Sequence, residues 1–355
     1  MKATVRSLFL ITAIGLIWTS CKLIESSSTE HTRTAKQLYP FVENQKVGFM
    51  DQNLIQRIAP RFQLRTSDRE AWPYSFSEGL AVVYRSGAAG YINPEGELVI
   101  SPRFEEAYAF ENGRGLVKSN GRYGYIDTSG EFVIRPTFHR ARSFQDGRAA
   151  VQQNRDSGWG FIDTDGNFVI EPRFIAAENF SDGLALVQTA DHREWGYIDR
   201  SGTFVIDPQY REAKSFSEGL APVQLGFRQW GYIDTSGEIA IPSKFLEADP
   251  FSEELAVVAM PESNNNLNQK KYGYINRDGR FIILPSYDQA YAFHNGRGRI
   301  REHGHMGFVN RRGQMVVDPV YDRTWDYTDG FALVMLDSKY GYINKEGIFV
   351  LEPIN

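Results

Sequence analysis

Tyr123–Phe138 reads YGYIDTSGEFVIRPTF, and the pattern returns as WGFIDTDGNFVIEPRF (159–174), WGYIDRSGTFVIDPQY (195–210) and WGYIDTSGEIAIPSKF (230–245). Looser copies begin at Val47, Ala89, Tyr272, Met306 and Tyr340, which makes nine in all. The motif glycines are Gly48, Gly90, Gly124, Gly160, Gly196, Gly231, Gly273, Gly307 and Gly341, at steps of 34 to 42 residues. A period this steady means a stacked array of one supersecondary unit, and it overrides the two or three domains that 355 residues would otherwise suggest.

Each copy can be numbered from its Asp or Asn, from Asp51 and Asn93 through Asp127, Asp163, Asp199 and Asp234 to Asn276, Asn310 and Asn344. Three residues on stands glycine, with Leu54 the exception. An Asx side chain closes a turn on its own backbone and glycine supplies the positive φ. Tyr-Ile-Asp before the turn and Phe-Val-Ile after it therefore read as a short β-hairpin. Pro102, Pro136, Pro172 and Pro208 end the second strand. Then come a small residue (Ala107, Ala141, Ala177, Ala213, Ala248, Ala290) and an aromatic three places later (Phe110, Phe144, Phe180, Phe216, Phe251, Phe293, Tyr327). That spacing suits a helical turn or a compact loop packing on its neighbour. A run such as Leu184-Ala185-Leu186-Val187 supplies a third strand.

The expected fold is all-β: a tandem array of about nine short three-stranded units over residues 39–355. Three strands in about 35 residues are few for a propeller blade, and nine blades exceed the usual four to eight. The first copy has its own leading strand, Tyr39–Val42, and nothing is left over at Asn355 for closure. An open, curved, solenoid-like array is the favoured reading, with a propeller-like ring as the alternative.

At these residues the chain resembles a known family. Trp159-Gly160, Trp195-Gly196 and Trp230-Gly231, each followed by an aromatic, Ile-Asp and a turn glycine, are similar to the WG repeats, also called KWG repeats. These occur in bacterial proteins, often behind secretion signals. The resemblance implies a β-rich scaffold and brings no catalytic residues with it.

The N-terminus reads as an address. Lys2 and Arg6 precede an apolar run from Leu8 to Trp18, and Thr19-Ser20 lead to Cys21, the only cysteine. A basic start, a short apolar core and small residues describe a secretory signal over 1–20. The run is too short to span a bilayer, which takes about 20 apolar residues. The arrangement resembles the lipobox of bacterial lipoproteins, with Trp18 standing where Leu is usual. Lipidation is expected at Cys21, with 21–38 as anchor and polar tether. The expected location is the bacterial cell envelope, lipid-anchored, with secretion as the alternative.

A net charge of −5 without a basic block argues against nucleic acid. No Ser/His/Asp set, nucleophilic cysteine, P-loop or dinucleotide fingerprint appears, so no catalytic residue, cofactor or metal is expected. Asp163-Thr164-Asp165-Gly166-Asn167 lacks the spacing of a calcium loop and reads as a turn. His303-Gly304-His305 lies in a variable stretch and reads as a loop. Trp159, Trp195 and Trp230 are the candidate binding residues, against a core role for the same rings. Two irregular insertions, Gln63–Ser75 and Pro261–Lys271, mark a candidate working face. The functional expectation is a non-catalytic envelope protein that binds protein or glycan through an extended surface. A structural scaffold without a specific ligand is the alternative, and a hydrolase in a propeller-like ring is the remotest.

Overall fold

The computed structural model describes residues 37–65, 74–191, 193–263 and 266–354. The signal-like segment, Cys21 and nearly all of the tether lie outside the described residues. All regular structure among those residues is β-strand, arranged in nine antiparallel sheets. Seven sheets have four strands and two have three.

Sheet 3 shows the plan, with strands Glu106–Glu111, Arg114–Ser119, Arg122–Ile126 and Phe132–Phe138 paired in that order. The sequence motif supplies the third and fourth strands. Their register runs from Tyr123↔Phe138 to Tyr125↔Ile134, so the fourth strand bulges over Arg135–Thr137. Gly124 lies across this bulge. A Cβ there would stand 2.6 Å from the Ile134 carbonyl oxygen and 2.7 Å from the Pro136 nitrogen. Pro136, expected to end this strand, instead lies within it, and it is tolerated because a bulge leaves its position outside the ladder. The glycine and the proline, twelve places apart in the motif, thus answer one backbone contact.

The turn between these strands is built as the Asx pattern predicts. The Asp127 carboxylate accepts from the Ser129 and Glu131 amides at 2.9 and 3.1 Å, and the Gly130 amide donates to the Asp127 carbonyl at 2.9 Å. Gly130 has φ +90°. Leu54, the exception among the turn glycines, is held at φ +62°.

Two further local expectations are corrected. The aromatic–small–aromatic stretch is neither a helical turn nor only a loop; it is the first strand of the next sheet. In sheet 3 it spans six residues, and in sheet 4 only Arg140 and Ala141. Sheet 6 replaces it by single bridges at Ala213 and Ser217. Units are therefore four-stranded rather than three-stranded, except for sheet 1 and sheet 6. A single residue, such as His139, links the fourth strand of one sheet to the first of the next. The second correction concerns Pro261–Lys271, which is an extended hairpin rather than an irregular loop, with Met260↔Lys271 and Pro261↔Lys270 in register.

The second and third strands bury both faces against neighbouring sheets, as in Ala149–Gln152 and Trp159–Ile162, where every residue is buried. An aromatic of each third strand meets an aromatic near the start of the next sheet. Examples are Tyr125–Phe144 and Tyr197–Phe216, both with centroids 4.7 Å apart, and Phe308–Tyr327 at 4.8 Å. Where the first partner is tyrosine, its hydroxyl also donates to the backbone seventeen residues on, as from Tyr125 to Arg142 at 2.7 Å and from Tyr232 to Asp249 at 2.8 Å.

The same device joins the last sheet to the first. The Tyr342 hydroxyl donates to the Pro40 carbonyl at 2.5 Å, and the Tyr342 and Tyr39 rings pack edge to face at 6.5 Å. Tyr274 makes the equivalent bond to Arg299 at 3.2 Å; Arg299 precedes Gly307 by eight residues, as Pro40 precedes Gly48. Tyr39, Phe41, Met50, Leu333 and Tyr342 form one buried cluster. Burial, with the Asp329 charge adding to it, pushes the Tyr39 hydroxyl up to about 12. The array is thus closed, and the fold is a nine-bladed β-propeller. The open arrangement favoured from sequence is overturned because closure needs no shared strand. The terminal sheets meet face against face.

Tyr342→Phe removes the closing hydrogen bond and leaves the Pro40 carbonyl buried. Urea unfolding is expected to show a loss of about 1–2 kcal/mol, comparable to Tyr125→Phe. An open array would leave the Tyr342 variant as stable as the parent.

Candidate functional site

The repeated polar residues are occupied by the ring itself. In the turns, Asp163 accepts from the Asp165 and Asn167 amides at 3.0 and 2.9 Å, and Asn276 and Asn310 serve the same role. Hydrogen bonding holds these carboxyls below the usual range. The Ser129 hydroxyl is the chief cause at Asp127, Ser201 at Asp199 and Ser236 at Asp234, while at Asp163 it is the Asn167 amide. Arg61, Arg103 and Arg173 each donate to the turn glycine carbonyl of the following sheet, at Gly96, Gly130 and Gly202. Among the described residues no group of three His, Cys, Asp or Glu is placed to hold a metal ion. His303 sits at a positive-φ turn and His305 is exposed beside it.

Of the tryptophans, Trp159 and Trp230 are 7 % and 6 % exposed and belong to core clusters, and Trp195 is half-buried. Arg142 lies over the Trp159 ring at 5.7 Å and Lys214 over Trp230 at 5.5 Å. These cations come from the start of the same sheet and pair onward with the next, Arg142 with Glu178 and Lys214 with Asp249. The insertion hairpin carries Lys270 and Lys271, which pair with Glu247 and Asp288. Of the other insertion, Tyr74 is fully buried, with its hydroxyl accepting from the Arg65 amide at 2.8 Å.

These elements leave slots between sheets, on the face that carries the links from one sheet to the next. Between sheets 6 and 7 a cavity of about 410 Å³ is lined by Lys214, Arg228, Trp230, Glu212, Glu247 and Lys270. Its charges are of both signs and largely paired. Between sheets 8 and 9 the corresponding cavity is about 510 Å³. It is lined by Tyr291, Arg299, Arg301, Met306, Arg323, Thr324, Trp325 and Gln289, with no carboxylate among them.

This slot is where the repeat departs from itself. Arg299 occupies the second-strand position held elsewhere by Val82, Leu116, Ala150, Leu186, Pro222, Val257 and Leu333. Its side chain is 16 % exposed, and the guanidinium donates to Asp326 at 2.6 Å and to the Thr324 carbonyl at 3.1 Å and lies 4.3 Å over the Tyr291 ring. Thr324 stands where six other sheets carry alanine. It is 4 % exposed, and its hydroxyl oxygen is buried without a hydrogen-bond partner among the described residues. Met306 replaces the Tyr or Trp of six other copies, which opens room at the mouth. Sequence reading missed these residues. The signal was present in the columns of the nine copies, as polar side chains at positions otherwise apolar.

The WG containing repeat model matches seven segments, 90–123, 123–155, 159–191, 195–226, 230–260, 272–304 and 306–340. The chain belongs to the WG containing repeat family. The nine sheets extend the repeat beyond the matched segments, to residues 39–63 before them and to the last strand, Phe349–Ile354, after them. None of the curated proteins compared with the chain matches it. Among solved structures, a eukaryotic initiation factor is similar over 90 % of this chain and 96 % of its own, with a TM-score of 0.63 at 10 % identity, a likeness of fold alone. A virginiamycin B lyase from Staphylococcus aureus gives 0.38 at 13 % identity, over 72 % of this chain and 97 % of that one. PorZ, a surface component of the type-IX secretion system of Porphyromonas gingivalis, gives 0.32 at 9 % identity, over 89 % and 51 %.

Two outcomes are expected. A carboxyl depressed in the folded chain binds fewer protons than in the unfolded one. It therefore stabilises the ring above its unfolded value of about 4, and that share is lost as pH falls through the folded value. Asp127→Asn, which copies the turns at Asn276 and Asn310, keeps the turn acceptor but forfeits the carboxylate's share, so a small loss of stability is expected at pH 7. It should also lose less than the parent in urea unfolding at about pH 3. Thr324→Val removes a buried unpaired hydroxyl at constant shape, and its unfolding free energy should equal or exceed the parent's by about 1 kcal/mol. A loss of that size instead would mean the hydroxyl has a partner.

Proposed function

We propose that this chain is a non-catalytic, lipid-anchored envelope protein whose closed ring presents a surface for protein or glycan. The observation that carries the reading is the occupation of the repeated polar residues. The Asx groups close turns, and the repeated arginines, or a lysine, bridge sheets in several copies. What varies between copies lies in the slots and loops of the link-bearing face, and surface loops on a rigid scaffold are a common seat of recognition. The anchor rests on the basic start, the apolar run and Cys21, and the polar stretch after it would hold the ring clear of the membrane. The ring needs no cofactor for this role.

Intact-mass analysis and detergent partitioning, on protein from a lipoprotein-competent bacterial host, test the anchor. The parent is expected to carry acyl mass on Cys21 and to enter the detergent phase, whereas Cys21→Ala stays aqueous. A parent that stays aqueous and begins at another residue refutes the anchor. A turnover activity abolished by one point substitution refutes the non-catalytic reading.

A further inference from the structure

We propose that the slot between sheets 8 and 9 binds the carboxylate-bearing ring of an acidic saccharide, an inference that rests on the surface-binding reading above. Three arginines line it. Arg299 is neutralised by Asp326, but Arg301 and Arg323 have no ion pair among the described residues, and Arg301 makes only a contact from Nε to the Met306 sulfur at 3.4 Å. Two unpaired guanidiniums facing one cavity without a lining carboxylate select an anion, and the planar fork matches a carboxylate in two-point fashion. The walls select a ring. Tyr291 and Trp325 offer aromatic surface of the kind that packs against the apolar face of a sugar, while Gln289 brings a polar group for hydroxyls.

The volume of about 510 Å³ lies within the usual range for small-ligand sites. A nucleic acid fits poorly, because a net charge of −5 without a basic track gives no footing for a phosphate backbone. The buried Thr324 hydroxyl marks the same slot as a place where the repeat is broken. An unpaired buried polar group is costly, and alanine serves at that position in six other sheets. The slot between sheets 6 and 7 is the internal contrast: it has Trp230 and cations, but Glu212 and Glu247 line it too.

The test titrates the full chain with a short oligogalacturonate, a sialylated oligosaccharide, a neutral galacto-oligosaccharide and an oligoglutamate peptide, followed by calorimetry and tryptophan fluorescence. At least one of the two acidic saccharides should bind, weaken with salt and perturb the fluorescence through Trp325, and the neutral one should not. Arg323→Gln, at an exposed position, should weaken binding roughly tenfold or more, and adding Arg301→Gln should weaken it further. Arg200→Gln, at a surface pair with Asp146, should leave it unchanged. A thermal melt matching the parent's shows that the Arg323 variant is folded.

Equal binding of the neutral saccharide overturns the proposal, as does binding indifferent to Arg323→Gln. Binding of the peptide alone assigns the slot to acidic protein segments and overturns it as well. Failure of both acidic saccharides to bind the parent overturns the slot, while leaving intact any partner that binds the Arg301/Arg323 double variant as it binds the parent. Only the absence of any such partner would count against the surface-binding reading itself.

Discussion

The ring depends on one contact made at every interface: an aromatic side chain of the third strand lies against an aromatic near the start of the following sheet. Phe49–Phe76 at 5.3 Å, Tyr91–Phe110 at 5.0 Å and Tyr274–Phe293 at 4.8 Å repeat what Tyr125 and Phe144 do. The sheets are small, and a four-stranded antiparallel meander with both faces apolar has no stability alone. Each sheet is therefore half of two interfaces, and the edge-to-face rings fix how far it can rotate against its neighbour. The tyrosine hydroxyls add direction, because each donates to a backbone carbonyl on the neighbouring sheet. Desolvation raises the pKa of these hydroxyls, which keeps them protonated donors.

Much of this was legible before any coordinates. The nine units, the hairpin at each Asx–glycine turn and the packing of the second aromatic on its neighbour could all be read from spacing. Local chemistry sets each of them, and the repeat shows the same solution many times over. The first strand was not legible, because in several copies it pairs over only two residues, Arg140 and Ala141 or Glu247 and Ala248. Two bridging residues leave no period-two pattern to find. Closure was hidden for a related reason. It rests on Tyr39 and Pro40, which lie before the first motif, meeting Tyr342, more than 300 residues on. Counting strands left over at the ends could not reveal a ring that closes through side chains.

The tryptophans show how a motif's most conspicuous residue can serve the fold. Trp159 and Trp230 stand at the start of the motif's first strand, where each pairs with the end of the motif's second strand and lies under a cation from the start of its sheet. That cation continues to a carboxylate of the next sheet, so ring, cation and acid form one chain across the interface. These pairs are partly exposed, and each contributes little on its own.

A repeat is its own reference set, and this is what gives the interface between sheets 8 and 9 its meaning. Seven sheets show that an apolar residue serves at the Arg299 position, and six show that alanine serves at the Thr324 position. Replacing either with a polar group raises the cost of folding unless the group is satisfied. The ring satisfies Arg299 through Asp326 and leaves the Thr324 hydroxyl alone. Independent surface changes would scatter around the ring. Here an arginine, a threonine and a methionine that withdraws an aromatic all converge on one cavity. Places where local rules are broken together, against the grain of stability, are where a functional or strained site is expected.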